Sequence, residues 1–67
     1  MNEYKVIFSY IKDGKRVEEF DVCYASTTQD AVDKVRRWYN DLGLKGLKIE
    51  RVYIDTGKSW DIREYWD

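Results

Sequence analysis

Lys12-Asp13-Gly14-Lys15 and Asp55-Thr56-Gly57-Lys58 carry the same punctuation near the two ends of the chain, an aspartate and a glycine ahead of a lysine between apolar runs. Asp and Gly tolerate the backbone conformations that tight reversals need, so each stretch reads as the loop of a β-hairpin. Outward from the first loop, Tyr4, Val6, Phe8 and Tyr10 alternate with Lys5, Ile7, Ser9 and Ile11, the period of a strand, and Val17 to Ala25 continues it. A three-residue loop Lys12-Asp13-Gly14 sets Ile11 opposite Lys15, Val6 opposite Phe20 and Tyr4 opposite Val22. That register gathers Tyr4, Val6, Phe8, Tyr10, Phe20, Val22 and Tyr24 on one face. A two-residue Asp13-Gly14 turn would instead pair Val6 with Asp21 and Phe8 with Glu19, so the longer loop is expected.

Around the second loop, strands are expected over about 47–54 and 58–65. With Asp55-Thr56-Gly57 as the loop, Ile54 opposes Lys58, Val52 meets Trp60, and Ile54, Val52, Trp60 and Ile62 share one side. Arg51 then meets Asp61 on the other side. Between the hairpins, Ser26-Thr27-Thr28-Gln29-Asp30 is a helix start, because Thr27 can accept from a free amide of the first turn. Ala31, Val32, Val35, Trp38, Tyr39 and Leu42 draw one apolar stripe over a helix at about 28–42, and Gly43 fits its exit. Asp30 with Lys34 and Asp33 with Arg37 stand at helical ion-pair spacing on the outer side. The result is a single α+β domain of ββαββ order over 1–67, with strands at about 4–11, 17–25, 47–54 and 58–65 and one helix across one sheet face.

Composition narrows what such a domain does. The chain has 67 residues, twelve basic and thirteen acidic, 16% aromatic, with one cysteine and no histidine. A chain of this size holds one small core, and aromatic side chains fill such a core efficiently. One cysteine, Cys23, excludes an internal disulfide, and the lack of histidine removes the usual zinc ligands and the usual general base near neutrality. Catalysis is therefore not expected, nor a cofactor or metal. The start Met1-Asn2-Glu3 has no basic leader and no apolar run reaches the length of a membrane span, so a cytoplasmic location without membrane association is the expectation.

Tyr4-Lys5, Thr27-Thr28, Lys34-Val35 and, above all, Tyr39-Asn40-Asp41-Leu42-Gly43-Leu44-Lys45-Gly46 resemble the immunoglobulin-binding domains of protein G, a β-grasp-like family. The resemblance covers most of the chain. It implies a sheet of order 2-1-4-3, with the first and fourth strands central and parallel. Antibody binding is not carried over, because Val32 stands where that family wants an acid and Leu47-Lys48-Ile49 opens the third strand without its Trp.

Functional expectation falls on the sheet face that the helix leaves uncovered. Under the registers above it displays Ile7, Ile11, Val17, Cys23, Ile49, Tyr53 and Tyr65 among Lys5, Glu19, Asp21, Arg51, Asp61 and Arg63. An aliphatic and aromatic patch with a charged rim has the composition of a contact surface. The expected function is non-catalytic docking of a protein partner or a second copy, through Ile7, Ile11, Ile49, Tyr53 and Tyr65 with Arg51 and Arg63 supplying polar specificity. Such a role suits a small accessory or inhibitor protein of a phage or mobile element. Lys34, Arg36, Arg37, Lys45 and Lys48 form the one basic neighbourhood, and Lys34, Arg36, Arg37 and Lys48 of it give the alternative, a nucleic-acid-binding module, which Asp30, Asp33 and Asp41 among them weaken. The tail Tyr65-Trp66-Asp67 adds two rings, with Trp66 either closing the end of the core or joining the patch.

Overall fold

The computed structural model describes residues 1–66; Asp67, the last residue of the aromatic tail, lies outside them. Strands β1 (Asn2–Lys12) and β2 (Lys15–Ala25) form the first hairpin. Helix α1 (Thr28–Asp41) follows, then β3 (Lys45–Asp55) and β4 (Trp60–Arg63). The helix packs on one face of a four-stranded open sheet, an α+β arrangement. Its core is Tyr4, Val6, Phe8, Cys23, Ala25, Ala31, Val32, Val35, Ile49 and Val52.

The first reversal is the shorter of the two considered. Lys12 pairs with Lys15, and Asp13 and Gly14 turn the chain at φ 53° and 79°. Two successive left-handed residues make the hairpin turn whose twist matches that of the flanking strands. Val6 therefore opposes Asp21 and Phe8 opposes Glu19, which corrects the expected pairing of Val6 with Phe20. A slip of this kind turns the whole strand over. Cys23 and Ala25 lie beneath the helix, while Phe20, Val22 and Tyr24 point to the opposite, open face.

The physical reason is the closeness of the helix. Ala31, Val32 and Val35 are fully buried, Cys23 Sγ lies 4.0 Å from the Ala31 carbonyl, and Lys34 Nζ donates to the Tyr24 carbonyl at 2.7 Å. Side chains the size of Cys and Ala permit that approach, whereas Val22 and Tyr24 in their place would hold the helix off the sheet. Further along the same side, Tyr39 donates to Asp21 at 2.8 Å and Tyr10 donates to Glu19, so these carboxylates end on phenols rather than in water. Burial, with the Asp21 acceptor beside it, pushes the Tyr39 phenol up to about 12.

The sheet order is β2-β1-β3-β4 with every neighbouring pair antiparallel, so the expected 2-1-4-3 order with a parallel central pair does not hold. Strand length decides this. An eleven-residue β1 needs a long partner on each edge, and β3 supplies eleven residues where β4 supplies four. Beside β1, β3 carries two bulges. Ile7 opposes Arg51 while Phe8 opposes Ile49, which leaves Glu50 as an extra residue. Straight alternation would place Ile49 opposite in sense to Val52, but the bulge resets the phase, so Leu47 and Ile49 join Val52 and Ile54 on the helix side. The second irregularity sets Gly46 and Leu47 against Tyr10. Gly46 has φ 62°, the left-handed region that favours glycine, and a Cβ there would crowd Ile11 Cγ1 at 3.0 Å.

The second hairpin closes with Asp55 opposite Trp60 rather than Ile54 opposite Lys58. Thr56 N donates to the Ser59 carbonyl at 3.0 Å, Ser59 N to Thr56 Oγ1 at 3.1 Å, and Gly57 N to Asp55 Oδ1 at 2.8 Å. This four-residue loop shifts the register by an odd number of residues. Ile54 meets Asp61 and Val52 meets Arg63, and Trp60 and Ile62 turn to the open face.

Thr27 caps the helix as expected, accepting from Asp30 N at 3.1 Å, and Gly43 at φ 75° ends it with its N–H on the Asn40 carbonyl. Trp38 and Leu42, expected on the buried stripe, are exposed. The expected ion pairs give way to others: Lys34 serves Tyr24, and Asp33 meets Arg36 at 3.6 Å. In the tail, Tyr65 packs against the core and donates to the Ile49 carbonyl at 2.8 Å. The Gln29 side-chain amide pairs with the Trp66 backbone in both directions, at 3.0 and 2.8 Å, while the Trp66 ring stays exposed.

The register has a direct check in urea unfolding. Cys23→Phe overpacks the helix-sheet contact and is expected to cost about 1–3 kcal/mol. Phe20→Thr, on the open face, is expected to change stability by no more than about 0.5 kcal/mol. The reverse ranking would indicate the longer loop.

Candidate functional site

The uncovered sheet face is built by the alternate residues of four strands. Outward from β2 come Arg16, Glu18, Phe20, Val22 and Tyr24. Beside them on β1 stand Glu3, Lys5, Ile7, Ser9 and Ile11. Lys45, Lys48, Glu50, Arg51, Tyr53 and Asp55 follow on β3, then Trp60 and Ile62 on β4. Its apolar residues are large and open to solvent: Phe20 is 62% exposed, Tyr24 61%, Ile62 65% and Trp60 37%. Ile7, Ile11 and Tyr53 are half-buried among them.

Of the seven residues expected to form the contact surface, Ile7, Ile11, Arg51 and Tyr53 lie on this face. Ile49 does not: at 4% exposure it belongs to the core, because the bulge at Glu50 turns it under the helix. Arg63 is paired with Val52 and shares its helix side, and Tyr65 is bonded to the Ile49 carbonyl against the core. Val17, Cys23, Glu19, Asp21 and Asp61 also leave the face when their strands turn over. In exchange it gains Phe20, Val22, Tyr24, Trp60 and Ile62. The signal for the exchange was the small pair Cys23 and Ala25, spaced to lie under Ala31 of a close-packed helix.

The polar groups of the face are mutually bound. Arg51 Nη2 meets Glu18 Oε1 at 2.7 Å. Arg16 Nη1 donates to Ser9 Oγ at 2.8 Å and to the Gly46 carbonyl at 2.9 Å; Ser9 in turn donates to Glu50 at 2.5 Å, and Lys48 Nζ approaches Glu50 at 4.0 Å. The Ser9 hydrogen bond holds the Glu50 carboxyl below its ordinary value. Asp55 accepts from Gly57 N, and the nearby Glu3 charge raises the Tyr24 phenol above its ordinary value. Lys5 is different. Its ammonium lies over two rings, 4.7 Å from the Trp60 centroid and 5.5 Å from that of Phe20, and among the described residues it meets no carboxylate within 4.0 Å.

Residues that could have carried other chemistry are placed as follows. Ser9 is 1% exposed with its oxygen held on both sides, and Cys23 is buried with its thiol pushed up by desolvation. No group of three His, Cys, Asp or Glu suited to a metal ion occurs among the described residues. The basic set Lys34, Arg36, Arg37 and Lys48 is not brought together: Lys34 turns to β2, Arg36 to Asp33, Arg37 is exposed on the helix, and Lys48 lies on the opposite layer beside Glu50. No helix among the described residues is long and apolar enough to cross a membrane.

Neither protein-family models, curated proteins nor solved structures yield a match to this chain.

The Ser9–Glu50 bond joins β1 to β3 and should be visible in acid. Because folding lowers the Glu50 pKa from 4.5, its contribution is present above that value and is lost as pH falls through the lower, folded value. The stability difference between wild type and Ser9→Ala, followed by urea midpoint against pH, is expected to be constant above pH 4.5 and to shrink below it.

Proposed function

We propose that this is a non-catalytic protein-binding domain that docks a partner through its open sheet face. One observation carries the reading: Phe20, Tyr24, Trp60 and Ile62 stand exposed beside Ile7 and Tyr53 on a face that no element among the described residues covers. The sequence puts small residues, Cys23 and Ala25, where the helix needs them, and spends its bulky ones on the side turned to solvent. Placing that many rings in water costs hydration free energy with no return within the monomer, and a docked protein surface recovers it. The face is also bounded by ion pairs such as Arg51–Glu18, the polar rim that surrounds an apolar contact centre. The role fits a small accessory or inhibitor protein, of the kind phages and mobile elements carry.

A photo-crosslinking residue placed at Tyr53 or Ile62, tested in the native host cell, is expected to capture discrete protein bands. The same residue at Arg37, on the outer helix, is expected to capture none. Equal capture from the helix, or labelled nucleic acid instead of protein, would overturn the reading.

A further inference from the structure

The open face carries five cations, Lys5, Arg16, Lys45, Lys48 and Arg51, against four carboxylates, Glu3, Glu18, Glu50 and Asp55; Lys45 stands at its far end opposite Ile11, and of the remaining eight charges seven have a polar group beside them. Arg51 holds Glu18, Arg16 and Ser9 reach toward Glu50 with Lys48 beside it, Asp55 caps the Gly57 amide, and Glu3 lies by the Tyr24 hydroxyl. Lys5 is the exception. It stands on β1, a central strand, between Phe20 on one side and Trp60 on the other, with aromatic faces for company and no acid. From this we infer that the docking face takes an acidic partner segment, a carboxylate side chain next to an apolar one, with the carboxylate seated on Lys5 between the two rings. The inference rests on the docking reading above and names the chemistry of its partner.

The argument is one of desolvation. Any surface that covers Phe20 and Trp60 also covers Lys5, because its ammonium lies against both rings. A cation taken out of water without a counter-charge costs far more than the ring contacts return. The partner must therefore bring an acceptor to that point, and among protein groups a carboxylate is the one that accepts from the ammonium and also supplies the counter-charge. Immediately beside it is a shallow dent of about 100 Å³ lined by Ile7, Glu18, Glu19 and Phe20, room for the apolar neighbour of that carboxylate. A second copy of this chain is a poor occupant. A two-fold axis through the patch sets one Lys5 against the other, and the carboxylates that the second copy's open face would bring already have polar groups beside them. A nucleic-acid strand is disfavoured as well, since Lys5 and Lys45, set apart on a face with four carboxylates, do not neutralise a run of phosphates.

The test is selection of a random displayed peptide library on the immobilised wild-type protein, followed by anisotropy titration of the selected peptides against variants. Peptides with Asp or Glu beside an apolar residue are expected. Lys5→Met, which keeps the stem on the rings, is expected to weaken them about tenfold or more, and Lys5→Arg to restore most of the binding. Far-UV circular dichroism and a thermal melt establish that each variant is folded. Peptides that lose binding to Ile62→Glu but not to Lys5→Met leave the docking face standing and overturn the acidic partner. Peptides indifferent to both changes, or no enrichment at all, overturn both. Oligothymidylate bound more tightly than any selected peptide, and lost in Lys5→Met, overturns the inference in favour of phosphate.

Discussion

The close seating of α1 on β2 is the constraint from which most of this structure follows. Ala31, Val32 and Val35 can reach the sheet because Cys23 and Ala25 are small, and Lys34 fastens the helix to the Tyr24 carbonyl at the strand's end. Once those two residues are under the helix, strand alternation leaves no choice about Phe20, Val22 and Tyr24. They appear on the far face, next to Lys5 and Ile7 of β1. The make-up of the open face is thus the other side of a packing decision made in the core. A change that loosened the helix would disturb that face without touching any residue on it.

The broad plan was legible in the sequence. Two hairpins around one capped helix follow from Asp-Gly loops, strict alternation in β1 and the Thr27 cap, all local signals that nothing in the tertiary structure opposes. The faces were less legible, and for a specific reason. Register was chosen by asking which pairing collects the most apolar area on one side, a rule that holds for a sheet whose other side meets only water. Here the second side is itself apolar, so the rule counted Phe20, Trp60 and Ile62 as core. The bulge at Glu50 had no sequence marker at all, and it alone moves Ile49 from the supposed surface to the interior. The strand order failed because the resemblance to a β-grasp-like domain supplied it, while the four-residue length of β4 argues for the edge.

The open face joins exposed rings to a bound polar network in one layer. The Arg51–Glu18 ion pair and the chain of hydrogen bonds from Arg16 through Ser9 to Glu50 hold side chains that would otherwise sample several rotamers. Under the docking proposal, that restraint before contact lowers the entropic cost of association. Ile7 stands between Phe20 on β2 and Arg51 on β3, where the apolar part of the face meets the polar network.

The pairing of β1 with β3 has a kinetic side. Both hairpins close over short loops and belong to the fast, local class of contacts, but Ser9 and Glu50 are 41 residues apart, with β2 and α1 in the span between them. Closing that span carries the larger entropic cost for a chain in which β1 is a central strand. The hydroxyl, guanidinium and carboxylate at this junction therefore fasten the long-range contact that costs the chain most entropy, at the middle of the sheet rather than at either tight loop.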